Sequence, residues 1–97
     1  MTSQIQAVKL RLIEELRSQK FDFNKLRCLL HEPDYIIATG LALCFLGDGT
    51  AEQIAEKMGI LRANASDYLN QLARNGHAKK YRKGREVYFK QLFNIYM

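Results

Sequence analysis

The sequence is poor in the residues that cross-link or interrupt a small protein. Its 97 residues include one proline, no tryptophan and two cysteines. Cys28 and Cys44 both lie in apolar surroundings, which is typical of buried, reduced thiols and argues against a disulfide framework. Because 47% of the residues are hydrophobic, the chain can build a core without cross-links, and we expect one domain over residues 1–97.

Long apolar runs are also missing. The longest apolar stretch, residues 35–46, is interrupted by Thr39 and Gly40 and is too short to span a bilayer. No segment has the charged and apolar regions of a signal peptide, so we expect a soluble cytoplasmic protein without membrane contact.

The sequence offers no evident catalytic or metal-binding constellation. Nothing resembles a nucleophile with its base and orienting partner, and the segment 47–50 lacks the lysine of a phosphate-binding loop. Cys28 and His31 form one candidate metal-binding pair, but no second pair completes a site. His77 reads as a turn residue or a phosphate contact. We therefore expect no enzyme activity, no metal and no cofactor.

Positive charge is concentrated at one end of the chain. The formal net charge is +5. Residues 1–61 carry seven basic and eight acidic residues, whereas residues 62–97 carry eight basic and two acidic residues, a net of +6. This distribution indicates a polyanionic partner for the C-terminal third.

The N-terminal half is predicted to be helical. Apolar residues at helical spacing predict an amphipathic helix over residues 4–19. A second, short helix is predicted to be capped by Asn24 and to run through Leu30. A third helix, over residues 33–46, is apolar nearly all round and carries Pro33 in its first turn.

Two further helices are predicted after a loop at residues 47–49. Thr50 and Gln53 have the spacing of a capping box, and Gly59 suits the end of the helix that they begin. The next helix is predicted from Arg62 to a stop at the dipeptide 75–76, with Ala65, Tyr68, Leu69 and Leu72 as its apolar face.

The helical period is lost from His77 to Lys90, where two short runs flank Lys83 and Gly84. Gly84 is free to take a positive φ, and apolar residues alternate in the second run, as expected of a hairpin. Residues 91–97 are predicted to form a short closing helix. The fold class is therefore mainly α with a small β-hairpin.

The last two helices are separated by the short turn 59–61, which matches a helix-turn-helix. Together with the hairpin that follows it in sequence, this motif predicts a winged helix-turn-helix core over residues 33–90. A helical extension over residues 1–32 precedes that core, and a tail over residues 91–97 follows it. The second helix of the motif protrudes in such a fold and fits the DNA major groove.

The candidate site follows from removing the apolar positions of the second helix. The remaining side chains suit bases or phosphates and are Arg62, Asn64, Ser66, Asp67, Asn70 and Gln71. Asp67 suits cytosine, or alternatively orients Arg62 or Arg74. The hairpin adds a cationic wing for the DNA backbone or minor groove, formed by Lys79, Lys80, Arg82, Lys83 and Arg85. Tyr81 between them either stacks on a sugar or packs on the core.

Residues 51–60 resemble the supporting helix of many bacterial winged helices. Three later segments carry a more specific resemblance: Arg62-Ala63-Asn64-Ala65-Ser66, Leu69-Asn70-Gln71-Leu72 and Gly84-Arg85-Glu86-Val87-Tyr88. Over about residues 50–90 the chain is similar to the N-terminal DNA-binding domain of LevR-type bacterial transcriptional activators, which control sugar phosphotransferase operons with the alternative sigma factor. Leu61 replaces the usual capping residue, and Glu86 replaces the usual proline of the wing. The ATPase domain of that family is absent, so ATP hydrolysis is not implied.

We therefore expect sequence-specific binding of double-stranded DNA by a transcriptional regulator or by the DNA-binding module of one. The alternative is a winged-helix module for protein–protein or RNA contacts. The helix over residues 4–19 either packs on its own domain or forms a homodimer, which would suit a palindromic operator.

Overall fold

The computed structural model describes residues 4–92, apart from the side chain of Lys25. The chain is mainly helical with a small β component, as the sequence predicts, although that component is a three-stranded antiparallel sheet rather than a hairpin alone. Its elements in order are α1 (Gln4–Ser18), a 3₁₀ helix (Phe23–Leu29), α2 (Asp34–Leu46), β1 (Asp48–Gly49), α3 (Ala51–Met58), α4 (Arg62–Arg74), β2 (Ala78–Lys83) and β3 (Glu86–Gln91).

The ends of α3 and α4 follow from local sequence signals. The backbone N–H of Gln53 donates to Thr50 Oγ1 at 3.2 Å, and the backbone N–H of Thr50 donates to Gln53 Oε1 at 3.0 Å, so the predicted capping box is formed. Gly59 ends α3 with a φ of 71°, in the left-handed region. Leu61 precedes α4 without a side-chain cap, as predicted.

Two predictions about the N-terminal helices need correction. Asp22, rather than Asn24, caps the 3₁₀ helix, because its carboxylate accepts a hydrogen bond from the N–H of Asn24 at 3.0 Å. An aspartate readily accepts from the N–H two residues ahead, which makes it the better cap here. Pro33 occupies the N-cap position of α2 rather than its first turn.

A short strand replaces the predicted loop before α3. Asp48 and Gly49 pair with Lys90 and Phe89, so that β3 lies between β1 and β2. A Cβ on Gly49 would lie 3.1 Å from both a Leu46 methyl group and Gln53 Oε1, which suits glycine at this close approach. Two residues are too few to show a strand period, so local sequence could not reveal this pairing.

The C-terminal hairpin is confirmed and extends further than expected. Gly84 turns the chain between β2 and β3 with a φ of 64°. Gln91, predicted to begin a closing helix, pairs instead with Ala78 at the end of β3. Residues 93–97, the rest of that predicted helix, lie outside the described residues.

The core centres on α2. Seven α2 residues are buried, among them Ile36, Leu41 and Leu43. The apolar stripe of α1, formed by Val8, Leu12 and Leu16, packs into the same core. Because this stripe is buried within its own domain, it is not available to a second copy of the chain. None of the helices within residues 4–92 has the length and apolar character needed to cross a membrane.

Candidate nucleic-acid interface

One side of helix α4 is buried in the core, and the other side faces outwards. Ala65, Leu69 and Leu72 are fully buried against the rest of the core. The six predicted site residues lie on the remaining circumference of the helix. Arg62, Asn64 and Asp67 are exposed, and Ser66, Asn70 and Gln71 are half-buried.

Two of the half-buried amides are held by neighbouring elements. Gln71 Oε1 accepts a hydrogen bond from the Tyr35 hydroxyl of α2 at 3.2 Å. The Tyr35 ring in turn packs on Tyr68, with ring centroids 4.8 Å apart. On the opposite flank, Asn70 Oδ1 accepts from Lys80 Nζ of β2 at 3.1 Å. The scaffold therefore fixes both sides of α4, whereas the polar side chains of its first turn form no hydrogen bond or ion pair with other residues of the described range 4–92.

The hairpin register divides its cations between two faces. Lys80 pairs with Phe89, and Arg82 pairs with Val87. Phe89 is buried, so this face is directed towards the helices. Lys79 and Lys83 alternate with them and lie on the outer face, while Arg85 lies in the turn after β2.

A polar cleft lies between α4 and the hairpin. Arg62, Ser66 and Asn70 of α4 line one wall, since a spacing of four residues places them along one flank of the helix. Lys80 and Arg85 line the wall formed by the hairpin. The start of α3 and strand β3 complete the lining with Thr50, Ala51, Glu52, Glu86, Val87 and Phe89. Five of the predicted site residues thus meet in one cleft, although they are far apart in sequence. We call the exposed side of α4 together with β2, β3 and their turn the α4–hairpin surface.

The predicted cations of the α4–hairpin surface form no close ion pairs within residues 4–92. Ion pairs within 4.0 Å among residues 4–92 involve Lys9, Arg17, Lys57 and His77. Arg62 and the five predicted hairpin cations have no such pair with another described residue. Lys80 contacts a neutral amide, so its charge is also uncompensated. Residues 62–91 hold eight basic and two acidic residues, so this surface carries a net positive charge.

The outer face of the sheet has a different character. Tyr81 stacks on Tyr88, with ring centroids 5.6 Å apart. The Tyr81 hydroxyl donates to the Asp48 carboxylate, and the Tyr88 hydroxyl donates to Glu86 at 3.0 Å. Each hydrogen bond favours the protonated phenol and raises the pKa of its tyrosine. Tyr81 therefore packs on a neighbouring strand rather than on the core.

The comparisons with known proteins identify a relative. No model of a known protein family matches the chain, and no solved structure matches it. The chain is 44% identical over 62 residues to a protein of Archaeoglobus fulgidus described as uncharacterized; the alignment covers 64% of this chain and 81% of that protein. The chain belongs to the family of this archaeal protein.

At and beside α4, the exposed residues Leu61, Ala63 and Arg74 were absent from the sequence-based site. Leu61 is 73% exposed immediately before α4, and Ala63 is exposed in its first turn. A methyl group at such a place suits contact with the thymine methyl group. Arg74 is exposed at the other end of α4 and lines a groove with Asp67 and Lys79. The sequence could have indicated that Ala63 is exposed, because it lies two residues from buried Ala65 and therefore on the other side of the helix.

His77 takes the first of its two predicted roles, that of a turn residue, because it lies in the turn between α4 and β2. Its side chain is buried, with Nε2 4.0 Å from Glu32 Oε1. Its backbone N–H donates to Leu72, and its carbonyl accepts from Leu92. It is therefore a structural residue of the junction and is not exposed to a phosphate.

The two cysteines are free and half-buried. Burial raises the pKa of Cys44 to about 12, which keeps its thiol protonated. Burial also raises the pKa of Cys28. Within residues 4–92, no group of three His, Cys, Asp or Glu side chains is placed to hold a metal ion.

Proposed function

We propose that this protein binds double-stranded DNA in a sequence-specific manner, as a transcriptional regulator or the DNA-binding module of one. The observation that carries the proposal is the α4–hairpin surface, where six cations without ion-pair partners among residues 4–92 flank an exposed polar helix. Clustered like charges repel one another, and a polyanion relieves that repulsion. DNA phosphates supply such charges at regular spacing.

The order and pairing of the elements support a winged helix-turn-helix. Helix α2, strand β1, helices α3 and α4 and the β2–β3 hairpin follow one another, and β1 joins the hairpin as a third strand. In this arrangement α4 is the recognition helix for the major groove. The hairpin is the wing, which contacts the flanking backbone or the minor groove.

The contacts within the protein assign different roles to the predicted residues. Arg62 and Asn64 are exposed in the first turn of α4, so we assign them to base edges. Asn70 and Gln71 already accept hydrogen bonds from Lys80 and Tyr35, so we assign them to the placement of α4. The hairpin cations are assigned to phosphates.

Titration of the full chain with random-sequence duplex DNA at low salt tests the binding itself. We expect binding at micromolar protein, measured by fluorescence anisotropy. The double variant Lys83→Ala/Arg85→Ala is expected to bind every duplex more weakly, because phosphate contacts carry no sequence information. Arg17→Ala/Lys20→Ala, at the end of α1, removes the same charge and is expected to bind like the wild type.

The absence of binding by the wild-type chain at micromolar concentration would contradict the proposal. That result would favour the alternative function as a module for protein–protein or RNA contacts. Equal weakening by both double variants would contradict the wing assignment, since net charge alone would then explain the effect.

Selection from a random duplex pool tests the sequence preference. Arg62→Ala or Asn64→Ala is expected to lose about 1–3 kcal/mol of discrimination at individual base pairs and to leave the remaining motif intact. If both variants selected the wild-type motif unchanged, α4 would not read the bases through its first turn.

A further inference from the structure

Asp67 is the one acidic residue of α4. It lies two residues from both Ala65 and Leu69, which places it about 200° around the helix axis from each of them. Those two residues are fully buried, so Asp67 lies on the outermost line of the helix, where it is exposed. This line is the part of α4 that would penetrate deepest into a groove.

The Asp67 carboxylate has no partner within the described part of the chain. The two arginines of its helix, Arg62 and Arg74, are the nearest candidates in sequence. Neither forms an ion pair with it within 4.0 Å, and the Asp67 side chain takes part in no hydrogen bond within residues 4–92. The alternative that Asp67 orients one of these arginines in the free protein is therefore not supported. Both carboxylate oxygens are available to a ligand.

A negative charge at this position opposes general DNA binding. Asp67 shares its groove with Arg74, Lys79 and Lys80, all of which attract phosphates. The carboxylate repels the same phosphates and therefore lowers the affinity for DNA of arbitrary sequence. Its contribution to binding must come from a particular base edge, where a hydrogen bond compensates for this repulsion.

The chemistry of the major groove limits which base edge that is. An ionised carboxylate only accepts hydrogen bonds. Guanine presents O6 and N7 and thymine presents O4, all of which are acceptors that repel it. Adenine offers an N6 amino group, but its N7 acceptor lies beside that group. Cytosine offers its N4 amino group without such a neighbour, and it is the base that matches Asp67 best.

We propose that Asp67 is a specificity-determining residue that accepts a hydrogen bond from the N4 amino group of a cytosine in the major groove. It selects for cytosine through this hydrogen bond, and it selects against guanine and thymine because their acceptor atoms repel the carboxylate. This inference rests on the proposed function, because it requires α4 to lie in the major groove.

The test compares Asp67→Ala and Asp67→Asn with Glu56→Gln, which removes the same negative charge from an exposed position of α3. Each protein selects duplexes from a random pool and is then titrated with the selected duplex and with its single-base substitutions. For the wild type and for Glu56→Gln, replacing one cytosine is expected to weaken binding about tenfold, as for the loss of one base-edge contact. Both Asp67 variants are expected to lose that preference and to keep the other positions of the motif.

The outcomes separate this inference from the proposed function. If Asp67→Ala keeps the wild-type preference at every position, or if Glu56→Gln loses it equally, the assignment of Asp67 is overturned while DNA binding stands. If the wild type enriches no motif, the proposed sequence-specific function is overturned, and the assignment of Asp67 falls with it.

Discussion

Replacing Leu12 by alanine is expected to destabilise the protein far more than the same replacement at Leu10, two residues earlier in α1. Leu12 is fully buried in the core that α1 shares with α2, whereas Leu10 is 51% exposed. The two variants remove the same three carbon atoms from one helix, so helix propensity changes equally. The comparison therefore shows whether α1 packs on the core of its own domain through the side that carries Leu12.

The magnitude follows from the burial of the two side chains. Truncating a fully buried leucine removes its transfer free energy and leaves a cavity, which costs about 2–5 kcal/mol. The half-exposed Leu10 makes fewer contacts, and its truncation is expected to cost less than about 1 kcal/mol. A domain of this size is stable by about 5–15 kcal/mol, so Leu12→Ala removes a large share of its free energy of unfolding. We expect Tm to fall by at least about 10 °C.

Urea and thermal unfolding followed by far-ultraviolet circular dichroism measure both variants at two protein concentrations. The reasoning predicts that the loss in Leu12→Ala does not depend on protein concentration. Equal losses in the two variants, or a larger and concentration-dependent loss in Leu10→Ala, would refute it. That result would mean that α1 is stabilised mainly by contact with a second copy of the chain.

Three further predictions concern the helix cap, the wing and a buried thiol. Thr50→Ala is expected to cost about 1 kcal/mol in urea unfolding, whereas Thr50→Ser keeps the cap and most of the stability. With the five hairpin cations on phosphates, the logarithm of the DNA-binding constant is expected to fall against the logarithm of salt concentration with a slope of about −4.5. Lys83→Ala/Arg85→Ala is expected to reduce that slope by about two, and an unchanged slope would contradict the wing contacts. The pKa of Cys44 is raised from 9.0 to about 12 in the folded protein, so its contribution to stability is complete below pH 9 and is lost as the pH rises towards 12. By pH 10 the loss is on the order of 1 kcal/mol, and the pH dependence of unfolding of Cys44→Ala should lack it.

The features that sequence predicted well depend on residues close together along the chain. The capping box of α3 joins Thr50 to Gln53, three residues away. The positive φ at Gly59 and at Gly84 ends a helix and turns a hairpin, which glycine allows at little cost. The apolar spacing of α4 anticipated its buried side for the same reason, since one helix turn spans fewer than four residues.

The features that sequence missed depend on distant partners. Asp48 and Gly49 form a strand because β3, about forty residues later, presents an open edge to them. His77 is buried because Glu32 and the end of α4 surround it. Tyr81 packs on Tyr88 because the hairpin register places the two side by side.

The chemistry of the candidate site is already visible in the sequence, as a polar helix from Arg62 onwards followed by a cationic hairpin. The packing of the elements sets which of those side chains are engaged by the scaffold and which face outwards. It couples Asn70 to Lys80 and Gln71 to Tyr35, and it leaves Asp67 exposed without a partner within residues 4–92. The physical reason is that charge and helical period are local properties, whereas hydrogen bonds between elements require the packed core that brings those elements together.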